Sequence, residues 1–351
     1  MLPGTGWYSR PGPDADVAVS SRVRLARNLI GLPFPPVLSR EQEDELQREV
    51  LRAFAAIPES FEPVYLDRLA PLERKILLER NLISQEFSAA PNKLLMLGPE
   101  ERLSALVNEE EHIRLAGIES GLCLEEIYRA ADALDSELEG TLHFAASMEW
   151  GYLNTSLANA GTGLRASVML HLPALVMEGT IGWALKHASQ RELQIKGYWG
   201  DGDNSLGDMY QIANGLCVGT TEKEIIGGVH KAAVELMEYE RRAREEMLKQ
   251  RRVELEDRIF RAYGLLGQCR LLSSKEALSF LATLRLGVSL GILAEPPLHV
   301  ITALMILSQK AHVQKMLDAA DDETDNKLVD YTRAKTVRRV LSGRALEEDD
   351  V

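Results

Sequence analysis

Residues 151–175, GYLNTSLANAGTGLRASVMLHLPAL, constrain this chain more than any other stretch. Gly161-Thr162-Gly163 sets a tight turn, because glycine reaches positive φ and lets the backbone approach another group closely. The turn opens into an apolar, strand-like run, and Arg165 stands at the mouth of that run. The planar fork of donors on an arginine suits phosphate in such a place. The same residues also describe a plain tight turn carrying a surface arginine, so the rest of the chain must decide.

A chain of 351 residues has room for a large core and two domains. Its net charge of −13 argues against a general nucleic-acid binder, although a local basic pocket stays compatible with it. Cys123, Cys217 and Cys269 are odd in number and far apart, which suggests neither a disulfide framework nor a zinc site and fits a reducing compartment. No signal-peptide pattern opens the chain, and no apolar run reaches the ~18 residues of a membrane span. A cytoplasmic protein with no membrane or nucleic-acid partner is expected.

Residues 1–15, with Gly4, Gly6, Pro11, Gly12 and Pro13, read as a loop-forming arm. Asp16–Leu25 alternates as a strand, with Val17, Val19, Val23 and Leu25 on one face and Ser20, Arg22 and Arg24 on the other. Two arginines and a serine there describe either a solvated face or a phosphate cradle. Arg40–Phe54 has helical character, and Ile76–Leu82 is a short apolar element. Lys93–Leu97 and Leu103–Leu115 read as paired strands bridged by Gly98 and Pro99. Along the second, alternation sets Glu110, His112 and Arg114 opposite Glu109, Glu111 and Ile113. A carboxylate and an arginine two steps apart form a structural ion pair, or part of a site that handles a cation and an anion together.

Leu122–Leu138 predicts a helix, Glu192–Ile195 a short strand, and Lys196–Asp208 a glycine-rich acidic loop. As a calcium loop this last segment fails, since Leu206 stands where glycine is required and Ile212 where the bidentate glutamate belongs; no metal site is assigned. Beyond Thr220 the character turns helical. Thr221–Leu265 is long, charged and free of proline, and Ser273 with Glu276 forms a capping box for a helix to about Leu290. Pro296 and Pro297 start another helix, and the acidic run Asp318–Asp325 leads into a basic one, Lys327–Leu341.

Four segments, in this order and at these separations, resemble the bacterial protein-arginine kinases of the ATP:guanido phosphotransferase family. They are SSRVRLARN at 20–28, NEEEHIR at 108–114, GTGLRASVMLHLPAL at 161–175 and the glycine loop after Lys196. The resemblance implies an α+β fold, with a large, mainly antiparallel sheet flanked by helices and followed by an all-α C-terminal domain. It divides the chain into an arm at 1–15, a catalytic domain at 16–250 and a helical domain at 251–351. Small-molecule members such as creatine kinases carry an extra N-terminal helical domain, for which this chain starts too close to its first motif.

The implied activity is phosphoryl transfer from ATP-Mg2+ to a guanidinium nitrogen of a protein arginine. The implied nucleotide contacts are Ser20, Ser21, Arg22, Val23, Arg24, Asn81, Arg114, Arg165, Ala166, Ser167, Val168, Met169, Lys196, Gly197, Tyr198, Trp199, Gly200 and Asp201. Such transfer relies on positioning and charge neutralisation, which several arginines and magnesium supply. The guanidinium itself stays protonated in water, with a pKa above ~12, so it must be aligned and lose a proton late. The family uses two carboxylates and a thiolate, and these positions fall on Glu110, Asp201 and Ser156.

Several of those positions depart from the family pattern. Ser156 replaces the cysteine and supplies no thiolate charge near neutral pH. Asp201 replaces a glutamate one methylene longer, Lys196 an arginine, Asn81 a histidine and Leu157 a proline. The family's C-terminal phosphoarginine signature keeps Asp330 and Arg333, while its leading arginine is Val329. An active kinase acting on exposed arginines is the leading expectation. A degenerate relative serving as a nucleotide-binding or phosphoarginine-reading adaptor is the alternative, and a small-molecule guanidino kinase a weaker one. The resemblance also implies a zinc-finger activator, Clp-type proteolysis and a homodimer.

Overall fold

The computed structural model describes residues 6–189, 193–197, 205–317 and 325–343. Its strands are β1 (Ala18–Arg27), β2 (Glu62–Tyr65), β3 (Leu94–Leu97), β4 (Leu103–Val107), β5 (Ile113–Ser120), β6 (Ala146–Ser147), β7 (Gly151–Tyr152), β8 (Leu164–His171), β9 (Leu193–Gly197) and β10 (Met209–Asn214). Eight of them form one sheet in the order β2-β3-β4-β5-β1-β8-β10-β9, antiparallel at every pairing, while β6 and β7 make a small separate hairpin. The helices are α1 (Arg40–Ala55), α2 (Pro71–Glu79), α3 (Gln85–Ala89), α4 (Leu124–Glu139), α5 (Pro173–Met177), α6 (Ile181–Ser189) and α7 (Glu222–Gln250). They continue as α8 (Arg252–Gln268), α9 (Ser274–Ser289), α10 (Leu298–Leu307), α11 (Lys310–Met316) and α12 (Asn326–Leu341). The large antiparallel sheet flanked by helices, with a helical C-terminal part, is the architecture that the family resemblance implies. Among the described residues no helix is long and apolar enough to cross a membrane.

Strand period explains the layering. On one face of the sheet Val23, Leu25, Leu115, Leu164, Ala166 and Val168 form a core with Ile127, Ala131 and Leu134 of α4 and Val229, Ala233 and Leu236 of α7. The opposite face is covered in two places. Val19, Met169 and Met209 are closed over by Leu255, Ile259, Leu281 and Ile301 of the C-terminal helices. At the other end Leu95 and Leu106 meet Leu66, Ile83 and Phe87. Between these two covers the face lies open, and the charged residues of the central strands stand there.

Local chemistry starts the long helices where capping was expected. Ser273 accepts from Glu276 N at 3.3 Å, and Glu276 accepts from Ser273 N at 3.1 Å. Thr221 and Glu224 make the same box for α7. Such a cap satisfies N–H groups that the first helical turn leaves without partners.

Three details correct the sequence reading. Val19 does not share the face of Val17, Val23 and Leu25, because the pairing of β1 with β8 shifts register between Ala18 and Ser20. The shift sends Val19 into the cluster with the C-terminal helices. The helical stretch Thr221–Leu265 is not continuous: Arg251, at φ −138° and ψ 41°, separates α7 from α8. Finally, Leu103–Leu115 is not one strand. Residues 108–112 form a turn between β4 and β5, closed by Asn108 N donating to His112 O at 2.8 Å, with Asn108 at φ 63°. The alternation drawn for Glu110, His112 and Arg114 therefore does not exist, and the ion pair of Arg114 is with Glu109 at 2.5 Å.

Candidate functional site

The open face of the sheet gathers arginines by register. Arg24 of β1 lies opposite Arg165 of β8 on one side and Ala116 of β5 on the other, with Arg114 two residues further along β5. Arg22 lies opposite Ser167 and Ile118. Directly opposed like charges destabilise a sheet, so a cluster of this kind needs an external anion or another reason to persist. Arg24 bears the cost most plainly. Burial, and then the charges of Arg22, Arg114 and Arg165, hold its guanidinium well below the ordinary arginine value. The Nε atoms of Arg24 and Arg114 are buried without a hydrogen-bond partner. Such donors are costly unless something absent from the protein itself accepts from them.

A cavity of about 630 Å³ opens here. Arg22, Arg24, Arg114 and Lys93 bring positive charge to it, and Glu86, Glu109 and Glu110 bring negative charge. Phe87 and Ile83 line its apolar wall. Lys93, Ser84, Glu86 and Phe87 were not singled out from sequence; they come from the β2–β3 region, which carries no motif, and only folding brings them to the arginines. Ser84 caps α3 and donates to Glu109 at 2.8 Å, so the wall and the charged floor are joined by one hydroxyl.

Adjacent carboxylates divide the other end of the site. Glu110 is exposed on the turn and lines the cavity. Glu111 is fully buried and accepts from Asn28 Nδ2 at 2.6 Å, Thr155 N at 2.8 Å, and Ser156 N and Asn159 Nδ2 at 3.2 Å each. It fixes the loop that carries Ser156. Asn159 Nδ2 also donates to Glu110 Oε2 at 3.3 Å, which ties that loop to the cavity-facing carboxylate. His112 is buried too: its Nδ1 accepts from Leu29 N at 2.9 Å, and burial lowers its pKa. Its Nε2, 2.8 Å from Pro33 O, then carries the proton of a neutral ring. His112 is thus a buried structural support behind the turn.

The glycine turn works as expected of it, at close quarters. Gly161 has φ 98°, and a Cβ there would come within 2.6 Å of Cys217 O. Gly163 has φ 68°, and a Cβ would meet Ala26 O at 2.6 Å. Arg27 secures the turn by donating to Thr162 O at 3.1 Å while paired with buried Asp135 at 2.6 Å. Arg165 emerges beyond it and donates to Gly215 O at 3.0 Å and Gln194 Oε1 at 3.1 Å.

Not every expected residue reaches this face. Ser20, Ser167 and Met169 share it in register with the arginines. Ser21, Val23, Ala166 and Val168 point to the opposite side; Ser21 Oγ donates to Gly121 O, and the other three are in the core. Lys196 of β9 lies opposite Gln211 on the same face, at the exposed edge, with Gly197 after it. Asn81 follows α2 in the left-handed conformation, at φ 62°, two residues before cavity-lining Ile83. Tyr198, Trp199, Gly200 and Asp201 lie outside the described residues. Arg333 is not among the residues lining the cavity; it is 1% exposed and donates to Ser308 O and Leu272 O at 2.6 Å and to Asp330 Oδ1 at 2.5 Å. It ties α12 to the segments before α9 and after α10.

Residues 43–243 match the family described as ATP:guanido phosphotransferase, C-terminal catalytic domain. Residues 252–350 match the one described as protein-arginine kinase McsB C-terminal domain. The chain belongs to the ATP:guanido phosphotransferase family. Similar family members include the protein-arginine kinase of Moorella thermoacetica, 41% identical over 96% of this chain and 97% of that one. That of Halothermothrix orenii is 39% identical over 96% of each chain, and that of Geobacillus stearothermophilus 36% identical over 99% and 97%. Among solved structures, a lombricine kinase superposes with a TM-score of 0.57 at 22% identity, covering 69% of this chain and 71% of its own. The duplicated taurocyamine kinase of Schistosoma mansoni reaches 0.60 at 22% identity, over 78% of this chain and 41% of that one. These structures share the guanido-kinase sheet.

Proposed function

We propose that this protein is an ATP-dependent kinase that phosphorylates arginine side chains of other proteins. The observation that carries the reading is the cluster of Arg22, Arg24, Arg114 and Arg165 on one sheet face, with two buried guanidinium donors that lack an acceptor. A triphosphate neutralises the like charges and offers its oxygens to the guanidinium groups that line the cavity. The adjoining cavity is of the size that ligand pockets take, ~300–1,000 Å³. Ser20 and Ser167 then border the nucleotide, Met169 supports them from beneath the C-terminal cover, and Lys196 reaches it from the edge. The backbone of Ser21, Val23, Ala166 and Val168 sets the register of these contacts. Asn81, Gly197, Tyr198, Trp199 and Gly200 complete the nucleotide contacts. Mg2+ arrives with ATP and supplies further neutralisation of the phosphate oxygens.

Glu110 is the acceptor carboxylate in this reading. It orients a guanidinium from the partner protein and takes the proton that leaves as the N–P bond forms, with Asp201 holding the other side. Ser156 contributes a hydrogen bond where a thiolate would contribute charge, and Glu111 holds it in place. Residues 16–250 form the catalytic part, residues 251–351 the helical part and residues 1–15 the arm. A phosphoarginine role for Asp330 and Arg333 rests on the resemblance alone, since Arg333 is buried and already donates to Ser308 O, Leu272 O and Asp330 Oδ1. A zinc-finger activator, the Clp-type protease machinery, a homodimer and a cytoplasmic location belong to the same proposal.

Transfer of labelled γ-phosphate from ATP-Mg2+ to an arginine-rich unfolded protein tests it. Acid-labile, base-stable label on the protein is the expected result. Bound ATP without label would sink the kinase and leave the adaptor, a reading that kinship with named kinases does not favour.

A further inference from the structure

A second cavity, of about 440 Å³, lies between α2, α3 and α11 and contains none of the residues assigned to transfer. Arg74, Lys75 and Lys310 bring three cationic side chains to it, and Gln85, Ser88 and Gln314 bring polar groups. Glu79 is the one carboxylate among the described residues that line it. That carboxylate is already engaged, accepting from Ala311 N at 2.8 Å and from His312 N and Nδ1 at 3.1 and 2.7 Å. Two donors are left over. Gln314 is 1% exposed, yet its Nε2 has no hydrogen-bond partner, and neither has the buried Nε of Arg74. A buried donor without an acceptor is rare in folded proteins and calls for an explanation. Arg74, Lys75, Lys310 and Gln314 thus give the cavity a basic wall rich in donors, which suits a compact acceptor carrying several oxygens.

The placement of α3 gives the cavity a consequence. Gln85 and Ser88, three residues apart, face this cavity, whereas Glu86, Phe87 and Ala90 face the arginine cleft. The cap of the same helix, Ser84, donates to Glu109, and Glu109 pairs with Arg114. On the other side Arg80, just beyond α2, donates to His312 of α11 at 3.1 Å. One short helix thus separates the two cavities and is bonded into the floor of the first.

We propose that this cavity binds the phosphoryl group of a small molecule, and that occupancy is transmitted through α3 to the arginine cleft. Free phosphate and a small phosphate monoester present the same oxyanion. The apolar Pro71, Leu78 and Ala311 of the lining leave room for an organic portion. The inference stands apart from the kinase reading: Asp330 and Arg333 do not line the cavity, and Glu110→Gln bears on transfer alone.

Calorimetry on the full chain tests the site, titrating inorganic phosphate and then glycerol 3-phosphate. The proteins are the wild type, Lys310→Met, Gln314→Leu and, as the cleft control, Arg24→Met. Lys310 is exposed, so its variant keeps the fold if Gln314→Leu does not. The expected result is a binding event weakened about tenfold or more by Lys310→Met, as loss of a charge-assisted contact implies, and retained in Arg24→Met. Wild-type binding in Lys310→Met, or loss of all binding in Arg24→Met, would overturn the site. Tighter binding of the monoester marks an organic phosphate as the ligand, and equal binding marks free phosphate; both keep the site. Transmission is read with a fluorescent ATP analogue, whose affinity shifts about fivefold on saturation in the wild type and less in Lys310→Met. Equal shifts in the two proteins would overturn the transmission.

Discussion

Replacing Glu111 by glutamine tests the division of labour between adjacent carboxylates. The amide keeps the shape of the side chain and removes half of its acceptor capacity. Oε2 accepts from Asn28 Nδ2 at 2.6 Å and Thr155 N at 2.8 Å, and Oε1 accepts from Ser156 N and Asn159 Nδ2 at 3.2 Å. Whichever way the glutamine turns, two groups lack an acceptor, its own NH2 and the backbone N–H of Thr155 or Ser156, whereas Asn28 Nδ2 keeps Leu153 O and Asn159 Nδ2 keeps Glu110 Oε2. At ~1–3 kcal/mol for each buried group left unsatisfied, the cost is about 2–6 kcal/mol. That is a large share of the ~5–15 kcal/mol by which a domain is stable. Urea unfolding followed by circular dichroism measures it as a lower midpoint at unchanged slope. Glu110→Gln is the paired control: Glu110 is exposed and holds one 3.3 Å bond, so its loss costs less than ~1 kcal/mol. Phosphoryl transfer should fail in this variant while nucleotide binding survives. Equal stability losses in the two variants, or a Glu111→Gln cost under ~1 kcal/mol, would refute the assignment of roles.

Three further outcomes are expected. Arg165→Ala removes a charge-assisted phosphate contact worth ~1.5–3 kcal/mol and should weaken ATP about 10–100-fold in a binding titration; unchanged affinity would show that the cradle is misplaced. In the proposed site Ser156→Cys places a thiol on the loop that Glu111 holds, and a gain near 1.4 kcal/mol would raise the transfer rate about tenfold. An unchanged rate would mean that the site is organised around serine. Burial pushes the Asp208 carboxyl up to about 6, so the folded protein holds that proton more tightly than the unfolded chain does. Its contribution is complete below about pH 4 and is lost as pH rises through about 6. Asp208→Asn should therefore melt higher than the wild type at about pH 8, with the difference shrinking towards about pH 4. A difference that does not change with pH would remove Asp208 as its source.

Where a single physical rule governs, the sequence was readable. Period-two alternation put Ser20, Arg22 and Arg24 on one face of β1, and that face is the one that opens between the two helical covers. Ser273 and Glu276 announced the start of α9, because a capping box involves residues only three apart. Readings failed where a distant partner overrides the local rule. One extra residue between Ala18 and Ser20 sends Val19 to the other face, and no neighbour in sequence signals it. The turn at 108–112 contains neither glycine nor proline; Asn108, one of the few residue types to tolerate positive φ, makes it instead. Three consecutive glutamates then meet three fates. Glu109 pairs with Arg114, Glu110 faces the cavity, and Glu111 is drawn inside by Asn28 and the backbone of Thr155 and Ser156. Charge and propensity are identical along that run, so a sequence pattern can point to the segment and still name the wrong carboxylate. Only an acceptor-starved interior, assembled from residues 28 and 154–159, decides which of the three is withdrawn from solvent and which is left facing the cavity.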